Sequence, residues 1–162
     1  MKKTLGLFAA GAVALAMTAC SGGATPAEPG AAGGAPNKPL DQLVVGFAQV
    51  GAESGWRTAN TKDIQESFKT AGIQLKFSDA QQKQENQISA IRSYIQQGVD
   101  YIAFSPVVQT GWDAVLQEAK TANIPVILTD RAVDSKDTSL YVTFLGSDFV
   151  AEGKKAGKSR KG

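Results

Sequence analysis

Apolar runs and amphipathic stretches alternate through the middle of this chain at a spacing of about 25 residues, the length of one strand plus one helix. The runs Leu43 to Val50, Ile73 to Ser78, Tyr101 to Ser105, Pro125 to Thr129 and Leu140 to Leu145 are predicted strands. Between them, Trp56, Asn60, Ile64, Phe68 and Ala71 fall near one helical face, Ile88, Ile91 and Ile95 on a second, and Trp112, Val115, Leu116 and Ala119 on a third. The stop signals agree with this division. Ala71-Gly72-Ile73, Gln97-Gly98-Val99 and Ala122-Asn123-Ile124 each place a residue that tolerates left-handed backbone between a helix end and a β-branched strand entry. Thr110 and Asp113 stand at capping-box spacing, which predicts the start of the third helix. A βαβ succession of this kind closes into a parallel sheet, so the fold class is α/β.

In a parallel sheet, ligands sit outside the carboxyl ends of the strands, where loops and helix starts converge. Two strands here deliver polar groups to that edge. The first, VVGFAQV, runs into a glycine-studded loop with Glu53, Trp56 and Arg57, and the fourth ends in Asp130 and Arg131. Carboxylates and guanidinium groups hydrogen-bond paired hydroxyls in a plane, and an indole face packs on ring C–H groups, a combination suited to a sugar. Taken singly, Glu53 and Arg57 also fit a solvated helix-start pair, Trp56 a core anchor, and Asp130 with Arg131 a turn cap facing water. Their convergence on one edge favours a binding site. The amide-rich run Gln81 to Gln87 reads as a loop passing into an exposed helix start, and Pro106 as a turn residue or a crevice wall.

Several chemistries are excluded. No G-x-G-x-x-G follows the first strand and no phosphate-loop motif occurs. Histidine is absent and Cys20 is the only cysteine, which removes serine–histidine and cysteine–histidine catalysis and the usual zinc sites. No acid and base pair is identifiable. Binding without catalysis is expected, with no cofactor and no metal.

The ends of the chain carry different information. Lys2 and Lys3 precede the apolar stretch Leu5 to Met17, too short for a standard transmembrane helix and suited to a signal peptide over residues 1–20. Met17, Thr18, Ala19 and Cys20 resemble a lipoprotein cleavage site, which makes Cys20 the lipidated N-terminus of an exported protein. The other reading is an ordinary cleavage site with an incidental cysteine. Residues 21–39 are mostly Gly, Ala and Pro and read as a flexible tether, because such a segment buries too little surface to offset its ordering entropy. A folded region over 40–153 follows. Residues 154–162 carry Lys154, Lys155, Lys158, Arg160 and Lys161 with no acid, and read as a solvated basic tail. With no aromatic residues interleaved, nucleic acid is not expected as a partner.

Taken together, VGFAQVGAESGWR, the long run from Asp79 to Lys120, IPVILTDRAVD and YVTFLGSD resemble the sugar-binding proteins of bacterial ABC importers of the ribose and galactose type, most of all their galactofuranose-binding members. The similarity extends from about Leu43 to Gly153. It implies a Rossmann-like lobe of a type I periplasmic binding protein, a monosaccharide ligand such as galactofuranose or galactose, and delivery to a membrane permease. It implies location in the periplasm or on the outer face of the cell membrane, held by the lipid anchor. It also implies that Glu53, Ser54, Gly55, Trp56, Arg57, Asp130 and Arg131 line the sugar site. Members of that family close two lobes around the ligand. On this comparison the chain reads as most of the first lobe, with the second absent and residues 154–162 an aberrant tail lacking an apolar stripe. Weak sugar binding and exposed apolar surface are the expected consequences. A repressor of the lactose-repressor type shares the fold but carries a helix-turn-helix where this chain has a leader, and an exported sugar-processing enzyme needs an acid and base near the cleft.

Overall fold

The computed structural model describes residues 37–159; the leader, Cys20, the tether as far as residue 36 and residues 160–162 lie outside them. The order of elements is β1 Val44–Gln49, α1 Gly55–Thr70, β2 Gln74–Asp79, α2 Gln84–Gln96, β3 Tyr101–Phe104, α3 Asp113–Thr121, β4 Val126–Asp130, β5 Thr143–Gly146 and α4 Phe149–Ser159. All neighbouring strands are parallel, in the order β2-β1-β3-β4-β5. The α/β class and the parallel sheet are as expected.

The three stop signals act as the sequence implies. Gly72, Gly98 and Asn123 have φ of 73°, 62° and 56°. In each case two backbone bonds close the helix end: Gly72 N to Lys69 O with Ile73 N to Phe68 O, Gly98 N to Ile95 O with Val99 N to Tyr94 O, and Asn123 N to Lys120 O with Ile124 N to Ala119 O. Each is a Schellman motif, which satisfies orphan carbonyls and turns the chain back toward the sheet.

Packing divides by strand periodicity. Ala48, Ile102, Phe104, Val126 and Leu128 point to the face covered by α2 and α3, where they form one cluster with Ile91, Tyr94, Trp112, Val115, Leu116 and Ala119. Gln49, next to Ala48 in β1, bonds Asn60 and Thr61 of α1, so α1 lies on the opposite face. There Phe47 and Phe77 stack at 6.3 Å.

A close approach fixes Gly46. A Cβ at that position would lie 2.5 Å from the Tyr94 ring, whose hydroxyl bonds Phe47 O at 3.0 Å and Ser78 Oγ at 2.7 Å. Gly46→Ala is expected to cost about 1–3 kcal/mol through overpacking. A thermal melt identical to that of the parent would show instead that the ring moves aside freely.

Four local expectations are corrected. The capping box at Thr110 does not form: α3 begins at Asp113 after Trp112, with no side-chain cap. Trp112 is buried against Phe104 and donates to Val108 O at 2.7 Å, while Gln84 binds Thr110 O, so tertiary contacts set this entry. The fifth strand starts late, because Thr138–Leu140 forms a 3-10 turn capped by Asp137. In the stripe on α1, Asn60, Ile64 and Phe68 are half-buried, but Trp56 and Ala71 are exposed. Finally, α4 runs through Lys154 to Ser159 without a break at Gly153. Asp148 caps its start by accepting from Ala151 N, and lysine and alanine sustain helix well. The missing apolar stripe shows instead as a helix with no buried residue.

Candidate functional site

The carboxyl end of β1 opens into a short loop, and Ser54 starts α1 from extended backbone, its side chain accepting from Arg57 N at 3.1 Å. This cap fixes the first helical turn and aims Arg57 inward. Although charged, Arg57 is only 2% exposed. Its Nε donates to Glu53 Oε1 at 3.0 Å and its Nη2 to Asp130 Oδ2 at 2.7 Å. Its guanidinium also sits 4.7 Å from the centre of the Trp56 ring, in cation–π range. Nη1 is buried without a hydrogen-bond partner among the described residues. A buried donor of that kind calls for an acceptor brought by a ligand or a water.

Asp130 ends β4 with φ of 62°, and Arg131 N donates back to Thr129 O at 2.6 Å. This tight turn holds a non-glycine residue in left-handed backbone, which aspartate tolerates better than most. Arg131 Nε lies 3.7 Å from Asp130 Oδ2. The site therefore combines two carboxylates and two guanidinium groups. Burial opposes the charge on Glu53, but its own backbone N–H, the Arg57 hydrogen bond and charge, and the Arg131 charge outweigh burial and hold its carboxyl below the ordinary value.

Glu53, Ser54, Trp56, Arg57, Asp130 and Arg131 line a single open depression of about 360 Å³ together with Phe149. Gly55 does not line it; it starts α1, and a Cβ there would meet open space. Trp56 is 58% exposed, which overturns its reading as a core anchor. Phe149 was not anticipated, since it lies in α4, where no apolar stripe continues.

Sequence reasoning also missed the polar groups that support this edge. Gln49 is fully buried, with its amide on Asn60 Oδ1 and Thr61 Oγ1, and its carbonyl accepts from Val50 N. Ser105 Oγ and Thr129 Oγ1 lie 2.9 Å apart. The available signal was a polar residue near the end of each apolar run: Gln49 in FAQV, Ser105 in AFSP, Thr129 in ILTD. The amide-rich run is not merely an exposed loop either. Gln84 Nε2 reaches Thr110 O, Asn86 Nδ2 reaches Ala80 O, and Gln87 is fully buried.

Comparison with known proteins agrees with this architecture. The model of the periplasmic binding protein domain matches residues 45–160. The galactofuranose-binding protein YtfQ of Escherichia coli is 56% identical over 115 residues, which are 71% of this chain and 36% of that protein. A crystal structure from Mycobacterium smegmatis in complex with β-D-fucofuranose is 70% identical with a TM-score of 0.68, covering 71% of this chain and 38% of that one. The periplasmic binding component of the arabinose ABC transporter of Shewanella sp. ANA-3, bound to α- and β-L-arabinofuranose, is 56% identical, also with a TM-score of 0.68, and covers 72% and 38%. The chain thus spans little more than a third of the length of these relatives, each of which is named for, or solved with, a bound sugar.

Proposed function

This chain belongs to the periplasmic binding protein domain family, and on that premise we propose that it captures a furanose sugar outside the cytoplasm for a membrane permease of an ABC importer. The observation that carries the reading is the buried Arg57 guanidinium, clamped by Glu53 and Asp130 and left with an unpartnered Nη1 beside an exposed indole. In this reading the sugar ring packs on Trp56. Hydroxyls donate to the free oxygens of Asp130 and Glu53, which Arg57 holds in place, and Arg131 supplies a donor. Ser54 acts by orienting the helix start. The named ligands of the similar proteins support a five-membered ring over galactopyranose.

The depression is open and Trp56 largely solvated, so a sugar seated on these residues alone keeps water on its outer side. Contacts from one side offset little of the association entropy, and affinity in the millimolar range is expected. Titrating the chain with methyl β-D-galactofuranoside while following the Trp56 indole N–H resonance tests this. Saturable movement, stronger than with the pyranoside, is the expected result; an indole signal that no furanoside moves would overturn the reading.

Attachment to the membrane through Cys20 belongs to the same proposal and rests on the Lys2-Lys3 start, the short apolar core and the small residues before the cysteine. Cys20→Ala should shift the protein from the membrane to the soluble extracytoplasmic fraction. A mutant that stays on the membrane, with no lipid found on the parent by mass spectrometry, would reject the anchor.

A further inference from the structure

β1 leads through α1 to β2 on one side of it, while β3 lies on its other side, so the carboxyl ends of β1 and β3 bound the switch point of this sheet. Open parallel sheets offer ligands a crevice there. In this molecule a side chain fills it. Gln87, 0% exposed, reaches across from the first turn of α2. Its Nε2 donates to Ala48 O at 2.9 Å and to Ser105 O at 2.7 Å, and its Oε1 accepts from Val107 N at 3.0 Å. Both donors of the carboxamide are used, each on a backbone carbonyl.

We propose that Gln87 is the positioning residue of the sugar site, closing the switch point and locking the end of β1, which leads to Glu53 and Arg57, to the segment beside Arg131. The inference rests on the functional reading above. Ala48 lies just before the β1–α1 loop, and Ser105 and Val107 open the β3–α3 segment, whose Val107 O is 3.5 Å from Arg131 Nη1. One carboxamide therefore ties the end of β1, which leads to Glu53 and Arg57, to the β3–α3 segment that Arg131 approaches, and leaves the sugar a seat toward β4. An apolar side chain of equal length would fill the same space but withdraw both donors from the two carbonyls and the acceptor from Val107 N–H. A carboxylate would turn acceptors toward the two carbonyls.

The test uses Gln87→Met and Gln87→Glu in the full chain, with Ile91→Val, from the same buried face of α2, as a packing control. Two signals are read: the Arg57 Nε–H resonance, which needs no ligand, and affinity for methyl β-D-galactofuranoside. Gln87→Met is expected to move the Arg57 signal and weaken binding about tenfold or more, while Ile91→Val changes neither. Gln87→Glu should bind weakly at about pH 8 and recover toward the parent near pH 5, because burial raises its carboxyl pKa and the protonated form regains one donor. The parent should show no such recovery. If Gln87→Met does not fold, the pH profile of Gln87→Glu decides alone. An Arg57 signal and an affinity unchanged in folded Gln87→Met, or a flat profile for Gln87→Glu, would overturn the assignment. If the parent binds no furanoside, the sugar reading fails, while the Arg57 resonance still reports whether Gln87 sets the loop.

Discussion

Arg57→Ala is expected to lower stability by about 3 kcal/mol, roughly ten degrees in melting temperature for a domain of this size, and to abolish sugar retention. Breaking a buried ion pair by removing one partner is costly because the other charge stays behind without compensation. Here two charges stay behind, Glu53 and Asp130, with side chains 24% and 21% exposed. That partial access to water keeps the expected loss at the low end of the range for buried pairs. Arg57→Lys should fall between, since one ammonium cannot reproduce a fork that reaches both carboxylates. The effect should also depend on pH. Glu53 has its folded pKa below the ordinary 4.5, so its stabilisation is fully present above that value and fades as pH falls through the lower, folded value. The gap between parent and Arg57→Ala in urea unfolding should therefore be wide at neutral pH and narrow in acid. A gap that is small at pH 7 would mean that the clamp adds nothing to the fold.

What could be read in advance, and what could not, follows from the range of the interactions. Strand ends and helix stops were legible because Gly72, Gly98 and Asn123 act within a few residues of their own positions. The site residues were legible as polar interruptions at the ends of apolar runs. The burial of Arg57 was not. It depends on Asp130, 73 residues away in sequence, arriving across the end of β3. Gln87 was passed over for the same reason, since its partners lie 39, 18 and 20 residues away, and nothing within the run Gln81 to Gln87 distinguishes it from the other amides. At Thr110 a sound local pattern lost to a distant one, because burying the Trp112 indole outweighs a cap worth about 1 kcal/mol. Where an element depends on its own residues, the sequence reading holds. Where a side chain's partners come from distant strand ends, only the assembled sheet reveals its role.

Asp130 allows stability and binding to be separated at one position. Its left-handed φ of 62° favours Gly or Asn over Ala, whereas its contact with Arg57 and its proposed contact with sugar both require an ionised acceptor. Stability should therefore rank Asp130→Gly and Asp130→Asn above Asp130→Ala, by about 1 kcal/mol for the backbone alone. Affinity for the furanoside should follow a different order. Asp130→Asn keeps the shape and one neutral acceptor, but Asp130→Ala and Asp130→Gly both leave Arg57 Nη2 and the sugar hydroxyls unpaired. Hydrogen bonds to a charged group contribute about 1.5–3 kcal/mol, so these two should bind at least tenfold more weakly than the parent, with Asp130→Asn between them. Melting curves and indole-detected titrations on the same three proteins check both orders. If Asp130→Gly bound as well as the parent, the carboxylate would be serving the turn and its arginine, not the ligand, and the sugar contact would have to come from Glu53 and Arg57 alone.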